Sequence, residues 1–149
     1  MNGHVEIHSI GELSVGDEFS FTQIITESMV DAFAALTGDV SPLHMHADFA
    51  KDRGFEGRVV HGLLLGGLVS RLIGVHCPGE SALLHSMQLK FTAPAYLDDK
   101  LLVSATIDHV STESNVLTLK ASIKRLQDNK ILCSAKVQVG FTQSTFSEG

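Results

Sequence analysis

Gly62-Leu63-Leu64-Leu65-Gly66-Gly67-Leu68-Val69-Ser70-Arg71-Leu72-Ile73-Gly74-Val75 is the longest apolar run of the chain, interrupted only by Ser70 and Arg71, and Pro78-Gly79 follows it. Its length and the breaker pair behind it predict a helix. A surface helix keeps one polar face, whereas this one is apolar nearly all round, so it belongs in the middle of a fold. It is too short to span a bilayer, which takes about 20 residues.

The material to surround it lies downstream. Leu83 to Phe91, Lys100 to Val110, Val116 to Arg125 and Ile131 to Phe141 all show period-two character. In the third, Leu117, Leu119, Ala121 and Ile123 alternate with Thr118, Lys120, Ser122 and Lys124. In the fourth, Ile131, Cys133, Ala135, Val137 and Val139 share the apolar parity. Alternation of this kind predicts strands with one face in water. Asp98-Asp99 and Asp128-Asn129 supply turn residues, and short connections make antiparallel neighbours. The apolar face of such a sheet needs a cover, and the Gly62–Val75 helix is the adequate candidate. The fold class expected is α+β, an antiparallel sheet wrapped on a central helix.

Upstream, Leu13 to Phe19 and Phe21 to Ile25 read as a turn and an extended strand. Thr26 can cap a helix carrying Met29, Val30, Phe33, Ala34 and Leu36, with Gly38 as its left-handed C-terminal cap. A polar loop follows from Asp39 to His44, then a short helical piece from Asp48 to Arg53 stopped by Gly54. No linker or repeat divides the chain, and 149 residues with 44% hydrophobic content fit one domain over 1–149. The formal charge of −6 and the lack of any Lys/Arg run in the sequence argue against a nucleic-acid partner. The acidity also argues against anionic membranes. Met1 to Glu6 lacks the basic and apolar regions of a signal peptide, so a cytoplasmic protein is expected. Cys77 and Cys133 set no disulfide framework, and neither reads as a nucleophile.

The chemistry concentrates between Gly38 and Gly62. Asp39 alone would be a turn residue, and His44 alone a packed or surface imidazole. Separated by a loop that Pro42 bends, they can converge on one water and exchange its protons, which is general acid–base work. His61-Gly62 opens the buried helix, where N–H groups lack intrahelical partners and a glycine admits a carbonyl close to the backbone. An N–H there can stabilise charge that builds on a substrate carbonyl oxygen; equally, Gly62 can serve tight helix–sheet packing, and both readings stand open. His44-x-His46 with Asp39 suggests metal ligands, but no second cluster supports them, and no metal is expected. Ser70 lacks a nucleophile elbow and reads as a hydrogen-bonding support.

Thr37-Gly38-Asp39-Val40-Ser41-Pro42-Leu43-His44, together with Val60-His61-Gly62, resembles the signature of the MaoC-like dehydratase family, the (R)-specific enoyl-CoA hydratases with a hot-dog fold. The likeness runs from about Leu13 to Phe141 and takes in Phe91-Thr92-Ala93-Pro94-Ala95-Tyr96. It implies reversible hydration of a trans-2-enoyl thioester to the (R)-3-hydroxyacyl product, with Asp39 and His44 as the acid–base pair. It places the carbonyl-binding N–H at Gly62 and a supporting serine at Ser70, with Pro42 and His61 belonging to the motifs. It implies no cofactor, since CoA or carrier-protein pantetheine is part of the substrate, and a homodimer or higher homo-oligomer with the site at the subunit interface. Ser41 stands where asparagine is common, and His46 where an acid is frequent. A 3-hydroxyacyl-carrier-protein dehydratase is the nearest variant. A hot-dog thioesterase and a non-catalytic acyl-binding protein are the competing classes.

Overall fold

Thr26, Gly38 and the alternating strands do locally what their residue types favour in the computed structural model, which describes residues 3–145. The outer ends of the expected 1–149 domain, including Met1 and Asn2, lie outside the described residues. The order is β1 (Glu18–Ile24), α1 (Glu27–Thr37), α2 (Pro42–Met45), α3 (Ala47–Asp52), α4 (Gly62–Arg71), β2 (Ala82–Phe91), β3 (Lys100–Ser111), β4 (Val116–Arg125) and β5 (Lys130–Phe141). The five strands form one antiparallel sheet in the order β1-β3-β4-β5-β2.

Leu64, Leu65, Leu68 and Val69 of α4 are buried against the inward parity of the sheet, including Val103, Ile107, Leu117, Leu119, Ile123, Val137 and Val139. The expected antiparallel sheet on a central helix is therefore the observed architecture. Burial of one such side chain stabilises by about 1.5–3 kcal/mol. Gly66 brings the helix close to edge strand β2: a Cβ there would come within 2.8 Å of Leu89 Cδ1. Thr26 Oγ1 accepts the N–H of Met29 at 3.3 Å, capping α1, and Gly38 ends that helix at φ 77°. Asp98 and Asn129 turn the chain at positive φ.

Five details differ from the sequence expectations. The central helix changes pitch after Arg71 and continues as a π-helical turn over Leu72–His76. It is not covered all round, since Leu63, Gly67 and Ser70 face outward and Leu63 is 66% exposed. The segment read as a polar loop contains the helical turn α2, with Pro42 at its first turn, where proline's fixed φ and missing N–H are no handicap. Finally, β2 pairs with β5 rather than with the next strand, and the first residues of β5 break parity. Register shifts where Ile123 faces Cys133 but Lys124 faces Ile131. The extra residue, Leu132, is wholly buried, and Ile131 is turned outward.

Among the described residues, no helix is long and apolar enough to cross a membrane.

Candidate active site

Asp39 enters the site because Gly38 turns the chain out of α1 in a left-handed conformation. Its backbone N–H donates to Thr37 Oγ1 at 3.2 Å, and its Oδ1 accepts the N–H of Ser41 at 3.3 Å. Ser41 thus serves the loop through its backbone, whatever its side chain, and leaves Oδ2 as the free carboxylate oxygen. That oxygen lies 4.0 Å from His44 Nε2. The gap is too long for a direct hydrogen bond. A water about 2.8 Å from each atom would bridge them at an angle of roughly 90°, a normal geometry for a water donor and acceptor.

His44 presents that nitrogen for a definite reason. Its Nδ1 lies 2.7 Å from the carbonyl oxygen of Val59. A carbonyl only accepts, so Nδ1 carries a proton, and in the neutral imidazole this leaves the lone pair on Nε2, the nitrogen nearer Asp39. The same logic fixes His61, whose Nε2 donates to the backbone carbonyl of Asp39 at 2.9 Å. Its ring is buried, stacks on His44 at 4.0 Å between centroids, and meets Phe33 at 4.7 Å. The other nitrogen, Nδ1, is buried without a hydrogen-bond partner.

Asp39, His44 and His61 bring possible ligand atoms within 4.8 Å of one another. This trio, rather than His44-x-His46, is what a metal ion would meet, because His46 is exposed at the start of α3 and outside the group. Two of the ring nitrogens in the trio already donate to backbone carbonyls. His61 Nδ1 makes no hydrogen bond, and His44 Nε2 faces Asp39 Oδ2 at 4.0 Å, a placement that suits proton transfer.

Beside His44, though not lined by Asp39, lies a cavity of 420 Å³, bounded by His44, Val59, Val60, Gly62, Leu65 and the segment from Phe91 to Ala95, with Phe55. Its walls are apolar apart from His44 and Thr92, a fit for an acyl chain. Gly62 is the first residue of α4 and lines this cavity, with His61 as the preceding cap. Its N–H is among those a helix leaves without an intrahelical partner. Both readings of Gly62 find support, because a Cβ there would also lie 3.0 Å from Phe91 Cζ. Ser70 is placed two turns further along α4, exposed, and outside the Asp39–His44–His61 group. A larger cleft of 630 Å³ is lined by ion-paired side chains, among them Arg58, Asp99, Arg125 and Asp128, and includes neither Asp39 nor His44.

The cysteines stand apart. Burial, with the carboxylates of Asp17 and Glu6 adding to it, pushes the Cys77 thiol up to about 12. Burial also raises Cys133. Neither forms a nucleophilic thiolate at neutral pH.

One residue at the site carried no sequence signal of its own. Arg58 donates through Nε to the backbone carbonyl of His44 at 2.6 Å, and its Nη atoms reach Glu27 at 3.2 Å and Asp31 at 2.6 Å. A lone arginine two residues after Phe55-Glu56 has no periodic pattern. The available hint was the i, i+4 pair Glu27 and Asp31, two carboxylates on one helix face in want of a cation.

Comparison with known proteins bears on the family and the fold. The family model described as "MaoC like domain" matches residues 13–126. The chain is 29% identical over 116 residues to the (R)-specific enoyl-CoA hydratase of Rhodospirillum rubrum, covering 78% of this chain and 81% of that protein. It is 32% identical over 120 residues to the mitochondrial 3-hydroxyacyl-[acyl-carrier-protein] dehydratase of Arabidopsis thaliana, covering 80% and 71%. The solved R-hydratase of Pseudomonas aeruginosa superposes with a TM-score of 0.85 at 26% identity, over 97% of this chain and 99% of that one.

Proposed function

This chain belongs to the MaoC-like domain family, and from that membership we propose that it reversibly hydrates trans-2-enoyl thioesters to (R)-3-hydroxyacyl thioesters. Its relatives include an (R)-specific enoyl-CoA hydratase and a 3-hydroxyacyl-[acyl-carrier-protein] dehydratase, both hydro-lyases, and by microscopic reversibility both directions use the same groups. Asp39 and His44 are the acid–base pair. One observation carries the assignment: the lone pair of His44 Nε2, fixed by the Val59 carbonyl, faces Asp39 Oδ2 at 4.0 Å beside an apolar cavity.

Hydration then runs as follows. A water held by both groups gives a proton to His44 Nε2 as its oxygen bonds to C3 of the enoyl chain. The π electrons move to the thioester oxygen, where the Gly62 N–H stabilises the charge. The pair returns a proton to C2, and the carbonyl re-forms. Atoms and charge balance with water as the sole co-reactant, so the reading calls for no cofactor or metal. CoA or carrier-protein pantetheine enters as part of the substrate.

A homodimer completes the reading. Strand β2 is an open edge of the sheet carrying exposed Leu83, Leu84 and Phe91, and Leu63 is exposed on α4. Apolar surface on an unpaired strand edge is what a second copy covers. The setting proposed is cytoplasmic.

The test follows enoyl absorbance with crotonyl-CoA and longer analogues, alongside release of free thiol and chiral analysis of the product. Loss of absorbance without thiol release, giving the (R)-product, is expected. Thiol release would mark a thioesterase, and silence in both assays an acyl-binding protein; either result overturns the proposal.

A further inference from the structure

Arg58 ties together the two helices that present the acid–base pair. Helix α1 ends two residues before Asp39, and α2 contains His44. On the α1 side, the Arg58 guanidinium donates to Glu27 Oε1 at 3.2 Å and Asp31 Oδ1 at 2.6 Å. On the α2 side, its Nε donates to the carbonyl oxygen of His44 itself at 2.6 Å. That carbonyl lies in the last turn of α2 and has no intrahelical donor to accept from. The side chain is 10% exposed, whereas those of Glu27 and Asp31 are 72% and 52% exposed. A sheltered guanidinium spending its rigid fork on three oxygen acceptors, with Met45 Sδ a further contact at 3.8 Å, is well ordered.

The neighbouring residue reinforces the arrangement. The Val59 N–H donates to Leu43 O at 3.1 Å, and the Val59 carbonyl accepts His44 Nδ1 at 2.7 Å. Arg58 and Val59 therefore hold His44 from two sides, backbone and ring. Val59 in turn bridges to Tyr96, which anchors the segment next to the sheet connection.

We propose that Arg58 is a positioning residue for the hydratase: by bonding α1 through Glu27 and Asp31 and α2 through the His44 carbonyl, it sets the separation of Asp39 and His44. The inference rests on the acid–base reading of that pair. Proton exchange through one shared water depends on this spacing, and a displacement of about 1 Å at a reacting group costs about a hundredfold in rate. Lysine keeps the charge but cannot satisfy three acceptors in a fixed fork.

The experiment first establishes that the wild-type protein hydrates crotonyl-CoA; failure there rejects the hydratase reading and leaves Arg58 without a role to test. With that activity in hand, Arg58→Ala, Arg58→Lys and the double variant Glu27→Gln/Asp31→Asn are compared for kcat, KM and thermal melting. Arg58→Ala is expected to lose kcat by about a hundredfold and Arg58→Lys by about tenfold, with KM within a factor of about two, because the loss is in the transition state rather than in binding. Millimolar guanidinium should restore part of the kcat of Arg58→Ala, an outcome a purely structural residue would not give. The double variant removes only exposed carboxylates and should fold normally with kcat lowered about threefold to tenfold, since it frees one end of the tie. If Arg58→Ala is folded with kcat near wild type, or if the double variant retains full kcat, the positioning role is overturned. It is equally overturned if Arg58→Ala loses activity only in step with melting and guanidinium restores none.

Discussion

His61 Nε2 donates across 2.9 Å to the backbone carbonyl of Asp39, while the same ring lies against His44 with centroids 4.0 Å apart. One buried imidazole therefore braces both halves of the proposed pair, the Asp39 backbone by a hydrogen bond and the His44 ring by stacking. His61→Phe keeps a ring in the stack but removes the donor. It also removes the unpartnered Nδ1, whose burial costs about 1–3 kcal/mol, so the melting temperature should change little. Turnover should fall about tenfold as the Asp39 backbone loosens. A stable variant with full kcat would show that the stack alone suffices.

Asp39→Asn and His44→Ala should each lower kcat by at least about a hundredfold, the usual scale for an acid–base group. Neither change removes a core side chain, so circular dichroism should match the wild type. A folded variant turning over at near-normal rate removes that residue from the mechanism.

At Gly62, two physical causes can be separated by a second substitution. Gly62→Val drives Cβ to within 3.0 Å of Phe91 Cζ and also adds bulk beside the backbone of a residue that lines the cavity. Adding Phe91→Leu relieves the first effect only. Activity that stays low in the double variant, with its melting temperature restored, identifies carbonyl approach as the function of the glycine. Recovery of both identifies packing.

The thiols give a pH-dependent readout. With Cys77 pushed up to about 12 and Cys133 also raised, both should stay unreactive toward an aromatic disulfide reagent in the native protein at pH 8. Both should react at once in denaturant. A fast native phase would place a thiolate where burial forbids one.

Glu6 provides a stability test with a definite sign. Burial pushes its carboxyl up, but hydrogen bonds and charges from His76 and His8 outweigh burial and hold it below its ordinary value of 4.5. A depressed carboxyl contributes stability that is present above the unfolded pKa and lost as pH falls through the folded one. Wild type should therefore exceed Glu6→Gln in urea midpoint at pH 7, and the difference should shrink below about pH 4.5. A difference that grows on acidification would reverse the assignment.

Much of this fold was legible because period and chain direction coincide in it. Leu117, Leu119, Ala121 and Ile123 alternate without interruption and are buried as the alternation predicts. Leu132 was not legible, because a register shift reverses parity in a way that only the pairing partner reveals. The partner of β2 was hidden for a related reason, since pairing with β5 is non-local and leaves no mark in either segment. At the site, Asp39 and His44 could be read from a proline between an acid and an imidazole. Arg58 could not, because its three acceptors lie 27, 31 and 14 positions away or belong to the main chain. The outward placement of Ser70 likewise follows from which face of α4 meets the sheet, which an almost uniformly apolar helix does not disclose.

The cavity walls and the proton-exchanging groups come from different stretches of chain. Asp39 and His44 sit between α1 and α3, whereas much of the cavity lining comes from Phe91 to Ala95 and from Leu65 of α4. Larger side chains at Ala93 would shorten the room for an acyl tail while leaving every hydrogen bond of Asp39 and His44 in place. Preference for short or long substrates can thus be retuned on the sheet side of the molecule, with the chemical step left as it is.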